Sequence, residues 1–134
     1  VTYLDNHYLT IFVPTDTAFE NFDALLDDSG VDPTPEEVGE VVLFHGTDET
    51  LLYQDLDCSA KVDMWCAETC GQSRTKCMKT DDGNVVKYQK GGGNRKNDIL
   101  PEIIVADLLT CDGNVVHIIS EVMLPNDIDK LGRK

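Results

Sequence analysis

Positive charge is scarce in this chain: 11 Lys and Arg stand against 25 Asp and Glu, a net charge of −14 at pH 7. Such a field repels phosphate backbones and anionic membrane surfaces. It argues against nucleic acid as a partner and favours cations, basic proteins or neutral glycans, although solubility alone also accounts for it. Long apolar runs are missing as well. The stretch at 103–106 holds four apolar residues, against the roughly 20 that cross a bilayer, so no direct membrane insertion is expected. No Asn-x-Ser/Thr sequon occurs, which leaves no N-glycosylation acceptor within the chain. What is present is the composition of a folded unit. With 41% hydrophobic and 27% charged residues in 134 positions, residues 1–134 form a single domain with a core of its own, not a disordered tail.

The patterns of common catalysts are absent too. A hydrolase needs a nucleophile, a base and an orienting group. His7, His45 and His117 are the candidate bases, but none of Ser29, Ser59, Ser73 and Ser120 sits in a Gly-x-Ser-x-Gly elbow. The acidic pairs Asp27-Asp28, Glu36-Glu37 and Asp81-Asp82 fall in turns or helix starts and read as solvated faces. Gly91-Gly92-Gly93 lacks the Lys-Ser/Thr of a phosphate-binding loop. Lys90, Arg95 and Lys96 flank it and form a small basic loop that could steer an acidic partner or another copy of the domain. No enzyme activity and no cofactor or metal are expected.

Five cysteines occur, at 58, 66, 70, 77 and 111. Four of them within twenty residues suggest an oxidising compartment. Zinc held by Cys66 and Cys70 with Cys58 and Cys77 is the competing reading. The spacing is not that of a common knuckle, and no His lies between residues 46 and 116. If strands near 61–65 and 76–79 run antiparallel across a tip at 67–69, Cys58 with Cys77 and Cys66 with Cys70 fall nearly in one register. Disulfides Cys58–Cys77 and Cys66–Cys70 are therefore expected. Cys111 is left to an upstream cysteine, an intermolecular bridge or a free thiol.

Local patterns outline the elements. Residues 9–13 form a short apolar β-type run, stopped by Pro14 and followed by the capping pair Thr15-Asp16. Ala18, Phe19, Phe22, Leu25 and Leu26 recur at helical spacing up to Gly30. A second helix opens with Thr34 as cap and Pro35 at its first position. It carries Val38, Val41, Val42 and Leu43 as a buried face and ends near His45, with Gly46 as its C-terminal cap. Strands are expected at 52–56, 61–65, 76–79, 85–89, 103–109 and 115–124. The turns are Asp81-Asp82-Gly83-Asn84 and Asp112-Gly113-Asn114, and the loop is Gly91-Gly92-Gly93-Asn94. Helices followed by strands read as α+β.

The run Thr10-Ile11-Phe12-Val13-Pro14-Thr15-Asp16-Thr17-Ala18-Phe19 resembles the first signature block of fasciclin domains. Val115-Val116-His117-Ile118-Ile119 through Pro125 resembles the second block, and Leu43-Phe44-His45 sits where that family carries its Tyr-His motif. Phe44 in place of Tyr removes a hydroxyl. The resemblance implies a β-sandwich or wedge of short strands flanked by several helices. It implies a secreted or cell-surface adhesion module binding a cell-surface or matrix protein, or another copy of itself. Matrix polysaccharide and calcium-supported self-association are the alternatives. The family begins with helices upstream of the first block, so an N-terminal helical part is expected to be missing and the chain to come from a larger secreted protein. The resemblance points to Val42, Leu43, Phe44 and His45 for contact, with Val42 and Leu43 hidden if that helix face is buried. Contact is also expected at Trp65 near the 66–70 tip, and along the Lys90, Arg95 and Lys96 loop. Thr10, Phe12, Pro14, Thr15, Asp16, Phe19, His117 and Pro125 are expected to build the frame.

Overall fold

Strand β1 (Thr10–Pro14) starts where alternate side chains turn inward, with Thr10 and Phe12 fully buried. The computed structural model describes residues 9–30, 32–66, 71–97 and 99–125, the side chains of 29 and 95–97 excepted. Thr15 follows the strand and caps helix α1 (Asp16–Ser29), its Oγ1 accepting from the Ala18 N–H at 3.1 Å. Asp16 lies exposed in the first turn, at the positive end of the helix dipole. Gly30 closes α1 in the left-handed conformation, at φ 68°. Helix α2 (Pro35–Leu43) opens with a reciprocal cap: Glu37 N–H donates to Thr34 Oγ1 at 3.2 Å, and Thr34 N–H to Glu37 Oε1 at 2.8 Å.

Two sheets follow. In the first, the order is β2 (Gly46–Thr47), β1, β7 (Val115–Ile119), β6 (Ile103–Leu109). Strands β1 and β7 run parallel at its centre, Thr10 opposite Val115 and Pro14 opposite Ile119. Parallel neighbours need a crossover, and everything between the two strands supplies it. The second sheet orders β3 (Lys61–Asp63), β4 (Gln72–Lys79) and β5 (Val85–Lys90). The sheets meet where Tyr88 bridges Glu102 and the Gln89 N–H donates to the Pro101 carbonyl at 3.0 Å. Phe12, Phe44, Leu56, Val62, Met64, Cys66, Ile103, Ile119 and Met123 fill the core. The α+β class and the two sheets of short strands flanked by helices agree with the expectation.

The β3–β4 register pairs Lys61 with Arg74, Val62 with Ser73 and Asp63 with Gln72. Carried outward, the same register places position 58 opposite 77, and the Cys58–Cys77 disulfide is present with Cα atoms 5.5 Å apart. Residue 70 of the expected Cys66–Cys70 pair lies outside the described residues. Cys111 is an exposed free thiol.

Several boundaries differ from those expected, each for a hydrogen-bonding reason. Residues 52–56 hold a 3-10 turn (Tyr53–Asp55) instead of a strand. Side chains satisfy its backbone: Asp55 Oδ2 accepts from Leu52 N–H, Asp107 Oδ1 accepts from Tyr53 N–H, and Lys87 Nζ donates to the carbonyls of Tyr53 and Leu56, both at 2.7 Å. Strand β3 stops at Asp63, and β4 begins at Gln72, four residues before the expected start. Strand β7 ends at Ile119, because the backbone at 122–124 bonds to His45 and to Asn94. The expected glycine loop is the start of helix α3 (Gly92–Asn97). A Cβ on Gly91 would sit 2.2 Å from the Leu124 carbonyl oxygen and 2.5 Å from the Phe44 ring, so the backbone there is packed, not free. Gly46 is a strand residue paired with Ile11 and not the helix cap, which is Phe44; the Trp65 ring occupies the space a Cβ on Gly46 would need.

Asn94 is completely buried, and its side chain makes three bonds: Oδ1 accepts from Gly91 and Leu124 N–H, and Nδ2 donates to the Val122 carbonyl. Asn94→Ala should therefore lower the unfolding free energy by about 2–5 kcal/mol in urea titration, since buried backbone groups lose their partners. A loss below about 0.5 kcal/mol would contradict that role. Cys58→Ser with Cys77→Ser opens a link between residues 19 apart. It should cost about 3 kcal/mol, whereas Cys111→Ser should leave the melting temperature in place.

Candidate functional site: an apolar groove between two helices

Helical periodicity sets Val38, Val41, Val42 and Leu43 on α2 as one apolar set, but the fold covers only Val41. Val42 is 62% exposed, Val38 46% and Leu43 44%. On α1, Ala18 is buried while Phe19 is 49% exposed. The two helices lie over β1 and leave a groove of about 890 Å³ between them. Its floor is Ile11, Phe12, Val13 and His45; its walls are Phe19, Phe22 and Leu26 on α1 and Val38, Val41 and Val42 on α2. Trp65 closes one side, its Nε1–H donating to Asp48 Oδ1 at 2.8 Å and its ring resting on Gly46. Among the described residues, the polar members of the lining apart from His45 are Asp23, Asp27 and Asp32.

His45 fixes the floor. Its Nε2 accepts from the Met123 N–H at 2.9 Å, so the proton resides on Nδ1, which donates to the Val41 carbonyl at 2.6 Å. Burial pushes the imidazole down to about 4, with the Val41 bond pulling the other way. His117 is held in the same manner on the opposite tautomer. Its Nδ1 accepts from Asp107 N–H at 3.2 Å and its Nε2 donates to the Leu51 carbonyl at 2.7 Å. The Asp107 N–H is free for this because a bulge in β6 places Asp107 at φ 61°, off the ladder to β7. With both ring nitrogens tied to backbone, neither histidine offers a lone pair or proton to a substrate.

The frame residues behave as structure. Thr10 Oγ1 donates to the Glu49 carbonyl and accepts from Leu51 N–H, stapling the 49–51 segment to β1. The Phe12 ring lies 5.5 Å from the His117 ring, and Pro125 is buried. Pro14 ends β1. Phe19, expected in the frame, instead lines the groove.

The expected contact residues are dispersed. Phe44 is completely buried and faces the core, and His45, on the floor of the groove, is 7% exposed with both ring nitrogens tied to backbone. Of that set, Trp65 borders the groove and is 37% exposed. Lys90 ends β5, remote in sequence from the groove, and the side chains of Arg95 and Lys96 are not described. What sequence reasoning missed is the outward position of Phe19 and Val38, and that Val42, in the stretch the resemblance pointed to, is exposed and not part of a buried face. Their helical spacing was visible, but periodicity does not say which apolar positions another element covers. Among the described residues no group of three His, Cys, Asp or Glu side chains could hold a metal ion, and no helix is long and apolar enough to cross a membrane.

The described residues thus give two sheets of short strands with helices, His45 and His117 held by backbone bonds and an open apolar groove, while the candidate base His7 lies outside them. The fasciclin domain model matches residues 1–125, and the chain belongs to that family. Fasciclin domains are adhesion-related modules, generally non-enzymatic and typically extracellular or at the cell surface. No curated protein is matched by this sequence.

The imidazole of His45 is depressed in the folded chain from 6.5 to about 4. The unfolded chain therefore binds the extra proton first, and the stability this neutral ring carries is complete above about pH 6.5 and drains away as pH falls towards 4. Urea unfolding should show a loss of up to about 3 kcal/mol across that window. His45→Gln should be less stable at pH 7.5 and flatter with pH. An unchanged slope in the variant would show that another group carries it.

Proposed function

We propose that this chain is an extracellular adhesion module that holds a cell-surface or matrix protein in the groove between α1 and α2. The observation that carries this is the outward set Val13, Phe19, Val38, Val42 and Trp65, large apolar side chains gathered on one groove. Exposed apolar patches rimmed by polar residues are the common mark of protein contact. Membership of a family of adhesion modules supports the same reading. The buried pair Phe44 and His45 then acts indirectly, by holding α2 in place. A partner's aromatic or aliphatic side chains entering the groove would displace water from both walls, where contact energy concentrates.

The groove separates surface effects from folding effects. Val42→Arg adds charge at a residue already exposed, so the melting temperature should stay within about 2 °C, as for most surface changes. Attachment of cells or matrix to the immobilised domain should fall at least tenfold. Leu109→Ser, on an exposed residue of β6, should leave attachment unchanged. Equal attachment by the wild-type chain and Val42→Arg would place the contact elsewhere.

A further inference from the structure

The groove has two properties that together narrow what it can hold. The first is charge. Asp23 and Asp27 stand four residues apart, hence on one face of α1, and Asp32 follows the helix; among the described residues no Lys or Arg joins them in the lining. The surrounding chain adds to the same sign with its net charge of −14. The second is the state of its floor. Strand β1 pairs with β7 along its whole length and with β2 at Thr10 and Ile11; beyond β2 the Phe12 N–H is taken by the His45 carbonyl at 2.8 Å and Pro14 has no N–H, so that edge has no donor left for an added strand. An extended peptide laid on the groove could not add to the sheet, and its backbone N–H and C=O groups would be buried against apolar walls without partners. A helix satisfies its own backbone and meets the walls with side chains alone.

We propose that the groove docks a cationic amphipathic α-helix of a partner protein, whose apolar ridge seats on Phe19, Phe22, Val38 and Val42 and whose Lys and Arg flank faces Asp23, Asp27 and Asp32. The inference rests on the reading of the chain as a protein-binding module and names the chemistry of the partner. Apolar anchors at helical spacing supply affinity in this mode. The acidic rim supplies approach rate and orientation, and its effect weakens with salt.

Trp65, the only tryptophan, lines the groove and reports on it. The probe is a synthetic Leu/Lys peptide of about five helical turns, free of aromatic residues, with a Leu/Glu peptide of identical apolar pattern as its counterpart. Titration of the intact chain should give a saturable shift in Trp65 emission with Leu/Lys and none with Leu/Glu. Affinity should fall at least tenfold in Asp23→Asn/Asp27→Asn/Asp32→Asn, and in Val42→Arg. It should stay within twofold in Asp57→Asn/Asp81→Asn/Asp112→Asn, which removes as much charge outside the groove. Equal losses in the two triple variants, or equal binding of the Leu/Glu peptide, would overturn the proposal. So would sedimentation as a dimer that Val42→Arg dissociates, because a second copy would then fill the groove. Adhesion lost in Val42→Arg with no Leu/Lys binding refutes the cationic helix and leaves the adhesion reading standing. Leu/Lys binding with adhesion untouched by Val42→Arg refutes the adhesion reading alone.

Discussion

The arrangement turns on the bonds made by one buried residue, His45. Its carbonyl accepts from the Phe12 N–H in β1, its own N–H reaches Val42, and its ring joins the Val41 carbonyl to the Met123 N–H. A helix end, the central strand and the segment after the last strand are thus pinned at a single point. Each bond replaces one that a helix end or an irregular segment would otherwise leave open. The pinning turns the neighbouring Phe44 into the core and aims Val42 outward. The face of α2 that builds the groove is the consequence.

Side chains perform this service for irregular backbone elsewhere. Asn94 holds residues 122–124, Lys87 holds the 3-10 turn, and Thr10 holds 49–51. Inside the second sheet, Gln89 bridges Thr75 and Ser73, at 2.6 and 2.8 Å, as a fully buried polar layer. Such layers cost little when every member is paired and restrict the packing to one arrangement. A fold of short strands and long connections needs these ties, because its ladders alone leave much of the backbone unpaired.

The features legible in the sequence were those with local causes. Thr15 and Thr34 announce caps because their oxygens lie within reach of nearby amides, and Gly30 announces a left-handed helix end. The Asp-Gly-Asn turns at 82–84 and 112–114 and the Cys58–Cys77 register follow from hairpin geometry. The family could be read from the blocks beginning at Thr10 and ending at Pro125. Illegible were the features set by distant partners. Asn94 within a glycine run looks like loop until residues 122–124 arrive to meet it. The strand-like pattern at 52–56 loses its ladder to Lys87 and Asp107. The groove was the least legible of all, since Val42 and Val41 are chemically alike and only the packing of α1 and the segment near Val122 buries one and not the other.

These relations separate the buried Phe44-His45 pair from the groove proposed to meet other molecules, to which the block beginning at Thr10 lends Ile11, Val13 and Phe19. The Phe44-His45 pair is an internal brace, and the surface it braces is open. The ring of His45 tests this division directly through its nitrogen-15 shifts in the native chain. A brace requires a neutral ring, protonated on Nδ1, that stays neutral at pH 6 and titrates only near 4. A ring that titrates near the ordinary value of about 6.5, or exchanges between tautomers, would put His45 in solvent and return the Phe44–His45 pair to the contact surface.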